Sequence, residues 1–378
     1  MIKYNVAKVF NNEIKNIQKV VKNNHYSMNG NFTKKCQQWI EKNLKVKSSI
    51  LTNSCTAALE MIAILMNLKK GDEIIMPSYT FVSTANAFVL RGAKPVLVDI
   101  EENTLNIDEH KIEAAITKKT KAVIVIHYGG ISCNLDKVRK ITKRHKILLI
   151  EDAAHAILST YKNKPLGSFG DLSTISFHET KNIHCGEGGA LLINNPKYIK
   201  RSKILRDKGT NRDEFNRNIV KKYSWVDIGS SFGMSEISAA FLYAQLLNSK
   251  KITSMRLKIW NYYYKTFKDL NNKKIKLPHI PKYCKHNGHI FYIIKKNRDG
   301  LLNHLNKNKV NCTFHYIPLH QSAAGKKFCK FGKLKKTEIL SKSIIRFPIV
   351  LDDKILNLKS INKIKNYINK YFQVEENI

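Results

Sequence analysis

Short apolar runs alternate with longer stretches of helical period through much of the chain. Before that alternation begins, residues 11–24 and 32–44 each place their apolar side chains on one face, which predicts two amphipathic helices. The apolar runs predict strands at 73–76, 95–99, 122–126, 147–150, 174–177 and 190–193, with helices at 57–68, 109–116 and 135–144. Strands and helices in alternation predict a largely parallel sheet with helices on both faces, a three-layer α/β/α domain.

The pattern weakens after Gly233. A long helical stretch is predicted from there toward residue 265, followed by strands near 289–294 and 312–316. A terminal helix is predicted from the spacing of Ile361, Ile364, Ile368 and Tyr371. We therefore expect a large domain of residues 1–250 and a smaller C-terminal α/β domain of residues 251–378.

The length of 378 residues accommodates both domains, and a hydrophobic fraction of 43% is ordinary for a globular protein. No segment reaches the roughly 18 uninterrupted apolar residues that a membrane helix requires, and the first thirty residues do not resemble a signal peptide. Seven scattered cysteines without a CxxC pair predict reduced thiols, neither disulfides nor a zinc site. These features predict a cytoplasmic protein with no membrane partner.

The formal net charge of +37 would by itself suggest a nucleic-acid or acidic partner. The lysines, however, are spread along the whole chain and accompany an excess of asparagine and isoleucine, as in KSINKIKNYINKYF. An AT-rich genome would produce that bias. We therefore expect no nucleic-acid partner.

Polar residues follow several of the predicted strands. Sheets of this kind bind ligands beyond the carboxyl ends of their strands. The polar clusters are residues 78–81 after the first strand, His127 and Tyr128 after the third, Glu151, Asp152 and His155 after the fourth, and residues 178–181 after the fifth. This clustering predicts a binding site at that edge of the sheet.

Two of these clusters suggest one cofactor. In ILLIEDAAHA an apolar strand ends in Glu151 and Asp152, and a carboxylate there could pair with the protonated ring nitrogen of pyridoxal phosphate. An acidic helix cap would explain either carboxylate equally well when it is considered alone. Lys181 ends a later apolar strand, where a lowered pKa would let its amine form an imine and act as a base.

Other candidates surround these two residues. Ser54, Cys55 and Thr56 begin an apolar helix whose free N–H groups could hold a phosphate. Phe81 and His155 could lie on either face of a cofactor ring, although core packing is an equal alternative for Phe81. His315 and His320 in HYIPLH lack the spacing and the nearby carboxylate of a metal site, so no metal is expected.

The sequence resembles the DegT/DnrJ/EryC1/StrS family of sugar aminotransferases over nearly its full length. The resemblance rests on MPSYTFVSTANAFVLRGAKPVLVDI, EDAAHA, SFHETKN, GEGGALLIN, KGTNR, DIGSS and HYIPLH, of which SFHETKN followed by GEGGA is the most specific. Within the family, the motifs are most similar to those of dTDP-4-amino-4,6-dideoxygalactose transaminases. The resemblance implies fold type I of the pyridoxal-phosphate enzymes, the aspartate-aminotransferase-like architecture.

The resemblance also implies roles for individual residues. Lys181 would carry the cofactor, Asp152 would pair with its ring nitrogen, and Phe81 and His155 would flank the ring. Phosphate contacts would come from Thr56, Ala57 and Ser176, joined by Ser231 of a second subunit, so that a homodimer shares its active sites. The substrate would contact His178, Tyr316 and His320.

The reaction implied is transfer of the amino group of L-glutamate to C4 of dTDP-4-dehydro-6-deoxy-D-glucose, for enterobacterial common antigen or a related surface polysaccharide. One alternative is an aminotransferase for another nucleotide-linked keto-sugar, because catalytic residues are shared within the family. A sugar dehydratase of the same fold would carry histidine in place of Lys181. A nucleic-acid-binding protein on the same scaffold is a third alternative, suggested by the net charge alone.

Overall fold

A computed structural model describes residues 2–271 and 274–376. Its α-helices are α1 Asn12–Lys22, α2 Asn31–Leu44, α3 Cys55–Leu65, α4 Val82–Val89, α5 Glu109–Ala115, α6 Leu135–Arg144, α7 Ile199–Arg206, α8 Arg212–Asn216, α9 Glu236–Leu247, α10 Ser249–Thr266, α11 Asp299–Lys307, α12 Ala323–Phe328, α13 Lys335–Ser341 and α14 Leu358–Glu376. Helices lie where the sequence predicts them in the first half of the chain. The helical stretch after Gly233 is two helices, α9 and α10, separated at Asn248.

The strands are β1 Ser48–Thr52, β2 Glu73–Pro77, β3 Lys94–Val98, β4 Thr120–Ile126, β5 Leu148–Asp152, β6 Thr160–Tyr161, β7 Lys164–Pro165, β8 Leu172–Ser176, β9 Gly189–Ile193, β10 Cys284–Lys285, β11 Phe291–Ile294, β12 Lys330–Phe331 and β13 Ile344–Phe347. All six strands predicted in the first half of the chain are present. The strand β1 was not predicted, because SSILT is short and begins with two polar residues.

The main sheet has eight strands in the order β1-β9-β8-β5-β4-β2-β3-β12. Its central strands are parallel, whereas β9 and β1 are antiparallel to their neighbours. The prediction of a largely parallel α/β sheet is therefore confirmed. Because β2, β4, β5 and β8 run in the same direction, their carboxyl ends meet at one edge and present their following loops there together.

Alternate residues of the central strands enter two separate cores. Ile75, Val123 and Leu149 pack in the core that includes α2, α6 and α9. Their neighbours Ile74 and Ile124 pack in the core that includes α3, α4 and α7. Side chains of a strand alternate between faces, so burial on both faces requires these continuous apolar runs. None of the helices in the described ranges is long and apolar enough to cross a membrane.

The C-terminal part of the chain has a small core of its own, formed around the antiparallel pair β11 and β13 with α10, α11 and α14. The strand predicted near 312–316 was wrong, since only Thr313 forms a bridge, to Arg346. His315 and Tyr316 stack with ring centroids 3.6 Å apart, an arrangement that extended backbone would prevent by pointing them to opposite faces. The division at residue 250 stays a prediction.

Residues 2–10 link the small and the large core. Ile2 pairs through its backbone with the segment 309–311, and its side chain packs against the small core. Farther along, the carbonyl of Lys8 accepts a hydrogen bond from Nε2 of Gln245 over 2.7 Å, and Phe10 packs against the large core. We call residues 2–10 the N-terminal strap.

Candidate active site

A cavity of about 350 Å³ lies at the carboxyl ends of the parallel strands. The residues predicted for the site that line it are Ser54, Cys55, Thr56, Phe81, Asp152, His155, Ser176, His178, Lys181 and Tyr316. They come from sequence positions more than 250 residues apart, and the fold brings them together. Ala57, Ser231 and His320 do not line the cavity.

Asp152 is the last residue of β5, and its carboxylate is buried. Oδ2 accepts a hydrogen bond from Oγ1 of Thr84 over 2.7 Å, while Oδ1 accepts one from the backbone N–H of Ala154 over 3.1 Å. The two bonds fix the orientation of the carboxylate. An anion in this position suits a cationic partner inside the cavity.

Glu151 precedes Asp152 but faces the opposite side of the sheet. Its carboxylate is fully buried, pairs with Nε2 of His127 over 2.8 Å, and accepts the N–H groups of Gly167, Phe169 and Gly170. Burial alone would raise its pKa, but the bonds from His127 and from the glycine N–H groups lower the pKa overall. Glu151 therefore accepts hydrogen bonds that stabilise the fold. The structure thus assigns different environments to Glu151 and Asp152, which the sequence alone could not do.

Lys181 lies in the loop between β8 and β9, where its N–H donates to the carbonyl of His178 over 2.9 Å. Burial lowers the pKa of Lys181 from 10.5 to about 8, against the opposing influence of Cys55 and Asp152. An amine with that pKa is neutral in roughly a tenth of the molecules at pH 7, far more than an ordinary lysine. It can therefore act as a nucleophile and as a proton acceptor.

The N-terminus of α3 faces the same cavity. Ser54 caps the helix by accepting the N–H of Ala57 at Oγ over 3.0 Å, which leaves the N–H groups of Cys55 and Thr56 for another acceptor. Gly189 lies against this turn, since a Cβ on it would come within 2.4 Å of the Cys55 nitrogen. The glycine in GEGGA thus permits the close packing that positions an anion-binding turn.

His155 is buried beside Lys181, and burial lowers its pKa well below the ordinary value of 6.5. Its Nδ1 accepts the backbone N–H of Gly129 over 3.3 Å, so the neutral ring carries its proton on Nε2, 3.3 Å from the hydroxyl of Tyr316. Phe81 is 56% exposed and lies 6.2 Å from the Tyr316 ring, centroid to centroid. Whether Phe81 and His155 flank a cofactor ring stays a prediction.

His178 and Tyr316 both line the cavity, and their contact with substrate stays a prediction. Nε2 of His178 is 3.4 Å from Oε1 of Glu187, which also lines the cavity. His320 lies outside it, between Oγ of Ser78 at 2.7 Å and the carboxylate of Glu338 at 3.3 Å.

Ser231 is exposed on the surface, and its carbonyl accepts a hydrogen bond from Nδ2 of Asn53 over 3.2 Å. This position, next to the segment that leads into α3, is outside the cavity of its own chain. Its predicted role in a second subunit stays a prediction.

Several cavity residues were not predicted from the sequence, among them Tyr4, Thr84, His289 and Arg346. Thr84 is within the STAN sequence of α4, where its contact with Asp152 could not be inferred. Nδ1 of His289 is 2.8 Å from Oδ1 of Asn182, and its ring centroid is 4.4 Å from that of His155. A polar residue after an apolar run, as in IIRFP, was the only available signal for Arg346.

The chemistry of this cavity fits pyridoxal phosphate. An oriented carboxylate suits a pyridinium nitrogen, an amine of lowered pKa suits a carbonyl carbon, and a helix N-terminus suits a phosphate. Asp152, Lys181 and the Ser54–Thr56 turn supply these three groups around one cavity.

Comparison with known proteins identifies relatives along nearly the whole chain. The model of the DegT/DnrJ/EryC1/StrS aminotransferase family matches residues 8–364. An uncharacterized protein of Methanocaldococcus jannaschii is 33% identical over 373 residues, which cover 95% of each chain. The spore coat polysaccharide biosynthesis protein SpsC of Bacillus subtilis is 32% identical over 324 residues, 82% of this chain and 83% of SpsC.

Solved structures agree with this match. PseC of Helicobacter pylori, an aminotransferase involved in the biosynthesis of pseudoaminic acid, superposes with a TM-score of 0.89 at 27% identity, covering 99% of each chain. Spr1654 of Streptococcus pneumoniae in its pyridoxal-phosphate form gives a TM-score of 0.88 at 24% identity, also over 99% of each chain. The predicted fold type I architecture is confirmed.

Proposed function

The chain belongs to the DegT/DnrJ/EryC1/StrS aminotransferase family, and on that premise we propose that it transfers the amino group of L-glutamate to C4 of dTDP-4-dehydro-6-deoxy-D-glucose. It is a sugar aminotransferase that depends on pyridoxal phosphate. The proposed products are dTDP-4-amino-4,6-dideoxy-D-galactose and 2-oxoglutarate. A cytoplasmic location and a role in enterobacterial common antigen or a related surface polysaccharide are part of the same proposal.

One observation carries the catalytic part of the proposal: Lys181 and Asp152 line a single cavity, and Asp152 is held by Thr84. Bound pyridoxal phosphate supplies an electron sink for the electron pair that remains when a C–H bond of the substrate is broken. The carboxylate of Asp152 would keep a proton on the ring nitrogen, because a nearby anion favours the protonated form.

In this proposal Lys181 has two tasks. Its amine would first hold the cofactor covalently. Once released by the incoming amino donor, Nζ would take the proton from the α-carbon of L-glutamate and would give it up again within the same half-reaction. In the second half-reaction Nζ returns a proton to C4 of the sugar. The lowered pKa of Lys181 supports this role, since a base works best when its pKa is near the working pH.

The phosphate group would be held at the N-terminus of α3 by Ser54, Cys55 and Thr56, with Ser176 beside them. Ala57 would contribute only indirectly, because its N–H is already bonded to Ser54. His178 and Tyr316 would contact the substrate from the same cavity. Their placement supports the proposed roles, whereas His320 would act on the substrate only through its neighbours.

We further propose a homodimer in which Ser231 reaches the phosphate bound by the second subunit. Support comes from the exposed apolar side chains that precede Ser231. Phe215, Ile219, Tyr223, Trp225, Val226 and Ile228 are between 38% and 79% exposed. Such a patch is characteristic of a surface that another chain covers.

A different nucleotide-linked keto-sugar is the alternative substrate. The likeness to PseC, an aminotransferase involved in the biosynthesis of pseudoaminic acid, favours this alternative. The two possibilities share every catalytic residue and differ only in sugar contacts. A panel of keto-sugars linked to dTDP or to UDP, compared by kcat/KM, separates them.

The first test is the visible absorption of the purified protein loaded with pyridoxal phosphate. The proposal expects a band that is lost with L-glutamate and returns with dTDP-4-dehydro-6-deoxy-D-glucose. Lys181→Ala is the control, and it should retain the fold without turnover. If L-glutamate leaves the wild-type band unchanged, the aminotransfer proposal is wrong; if the band bleaches and this keto-sugar does not restore it, only the sugar assignment is wrong.

A further inference from the structure

The loop that carries Lys181, residues 177–188, is called the lysine loop below. Immediately after Lys181, the backbone of residues 182–184 forms no hydrogen bond with other backbone groups of the described residues. The side chain of Ile183 is fully buried in the large core, but an apolar contact has no preferred direction. The direction in which the lysine side chain leaves the loop therefore depends on the polar side chains that hold this segment.

Asn182, which follows Lys181 directly, supplies the stronger of these contacts. Its side chain is buried, and Nδ2 donates to the carbonyl of Asn287 over 3.0 Å. That bond leaves Oδ1 as an acceptor, and Nδ1 of His289 lies 2.8 Å from it. Both groups of the amide are thus bonded to the segment that leads into β11.

A second contact lies on the opposite side of the loop and is weaker. Nε2 of His184 is 3.3 Å from the carbonyl of Lys8 in the N-terminal strap. His184 is three residues from Lys181 and does not line the cavity. The direction of the lysine side chain therefore depends more on Asn182 than on His184.

The segment that bonds to Asn182 is itself firmly held. Nδ2 of Asn287 donates to the carbonyls of His155 and Ile157 over 2.8 and 2.9 Å, and its Oδ1 accepts the N–H of His289 over 3.1 Å. A buried guanidinium NH2 of Arg256 donates to the carbonyl of His289 over 2.8 Å. The imidazole of His289 is thus presented to the lysine loop from a fixed backbone.

The contact also determines which nitrogen of His289 carries the proton. Burial, followed by the nearby His155 and Lys181, lowers the pKa of His289 well below the ordinary value of 6.5, so the ring is neutral. Because Oδ1 of Asn182 can only accept, the single ring proton is on Nδ1. Nε2 is left for the cavity, which His289 lines.

We infer that His289 is a positioning residue for Lys181, and that it acts through the hydrogen bond from its Nδ1 to Asn182. This inference rests on the proposed function, in which Nζ of Lys181 moves protons to and from the reacting carbon. A misplacement of about 1 Å can cost such a step on the order of 100-fold. Loss of the bond should therefore slow proton transfer, whereas the groups that bind the amino donor are untouched.

The first test follows single-turnover loss of the cofactor band over a range of L-glutamate concentrations, which separates the limiting rate constant from the dissociation constant of L-glutamate. Asn182→Ala is expected to lower the limiting rate constant roughly 10- to 100-fold, because Nζ of Lys181 is no longer held in line. The dissociation constant should stay within about 3-fold of wild type. Weaker donor binding with an unchanged rate constant would overturn the inference.

Asn194→Ala is the matched control. The amide of Asn194 also makes two hydrogen bonds, to the carbonyls of Gly167 and Gly170, but this residue does not line the cavity. Both constants should be unchanged in this variant. An equal loss of rate in Asn194→Ala and Asn182→Ala would overturn the inference, because it would show a general effect of removing a buried amide.

Two variants of His289 separate the roles of its ring nitrogens, since the amide of asparagine can take the place of Nδ1 and that of glutamine the place of Nε2. His289→Asn keeps the donor to Asn182, and its limiting rate constant should stay within about 3-fold of wild type. His289→Gln and His289→Leu lose that donor, and each should be slower by roughly 10-fold or more. The opposite order, with glutamine active and asparagine impaired, would overturn the inference and assign the effect to contact between Nε2 and substrate.

Hydrogen exchange tests the hold on the lysine loop without any reaction. The N–H groups of Glu179, Lys181 and Cys185 are hydrogen-bonded within the loop, so their exchange reports on its opening. In Asn182→Ala, with and without pyridoxal phosphate, a peptide of residues 177–188 should exchange roughly 5-fold faster than in wild type, the effect of losing a buried hydrogen bond. Exchange of this peptide should be unchanged in Asn194→Ala.

The exchange pattern also distinguishes a local role from a general one. Faster exchange confined to the lysine loop supports the inference. Unchanged exchange there in Asn182→Ala would overturn it, and so would an increase spread over the whole protein, which would indicate a role in packing. A wild-type protein that does not respond to L-glutamate contradicts the proposed function instead, and the exchange measurement then decides whether His289 and Asn182 hold the loop.

Discussion

Oγ1 of Thr84 donates a hydrogen bond to Oδ2 of Asp152 over 2.7 Å, and it lies 3.1 Å from Oγ1 of Thr80. The three side chains form a short buried chain that ends on the carboxylate proposed to face the ring nitrogen. A hydrogen bond to an ionised carboxylate contributes more than one between neutral groups. Thr84 therefore acts as a positioning residue for Asp152.

Replacing Thr84 by valine removes this donor while preserving the shape of the side chain. We expect affinity for pyridoxal phosphate to fall roughly 10- to 150-fold, because a hydrogen bond to a charged group contributes about 1.5–3 kcal/mol. The dissociation constant is measured by titrating the cofactor into the apo-protein and following its absorption. Thr84→Ser keeps the hydroxyl and should remain within about 3-fold of wild type. Equal losses in both variants would show that packing, and not the hydrogen bond, is responsible.

The sequence predicted six strands in the first half of the chain because their apolar runs are continuous, as burial on both faces requires. It also located Lys181 and Asp152, since each follows such a run. It could not separate Asp152 from Glu151, because the choice depends on which face each side chain enters. Nor could the sequence predict the contact between Tyr4 and Arg346, which are 342 residues apart along the chain, because that contact exists only after both cores have formed.

The lowered pKa of Lys181 predicts how cofactor attachment depends on pH. The neutral amine is the reactive form, and a group of pKa about 8 becomes fully neutral as the pH rises past that value. The rate at which the apo-protein attaches pyridoxal phosphate should therefore rise about tenfold per pH unit below 8 and level off above it. Stopped-flow absorption measures this rate. A free lysine derivative, used as the control, should continue to gain rate up to about pH 10.4; a protein profile that did the same would contradict the lowered pKa.

Glu151 is expected to matter for stability and not for catalysis. In Glu151→Gln the amide NH2 would replace one acceptor oxygen among the N–H groups of Gly167, Phe169 and Gly170. We expect the free energy of unfolding to fall by about 2–4 kcal/mol, the effect of leaving buried donors unpaired, as measured by urea titration. Turnover per folded molecule should stay within about 2-fold of wild type, and a much larger loss would give Glu151 a catalytic role.

The effect of Glu151→Gln on the free energy of unfolding should also depend on pH. The pKa of Glu151 is lower in the folded than in the unfolded protein, so its ionised form stabilises the fold at pH values above the unfolded pKa. That contribution is lost as the pH falls through the folded value. The difference in unfolding free energy between wild type and Glu151→Gln should therefore be constant near neutral pH and shrink in acid. A difference that grew in acid would contradict the lowered pKa.

The exposed apolar segment before Ser231 predicts where the two subunits meet. Trp225 is 79% exposed in the single chain, so Trp225→Glu would place a charge in the proposed interface and should produce a monomer by sedimentation velocity. Ile339 is also exposed, at 64%, but belongs to α13 and not to this segment, and Ile339→Glu is the control expected to remain a dimer. Because Ser231 would then no longer reach the second phosphate, the Trp225→Glu monomer should also bind pyridoxal phosphate more weakly than the control. A monomer that kept wild-type cofactor affinity would contradict the shared site, and a Trp225→Glu variant that stayed dimeric would move the interface elsewhere.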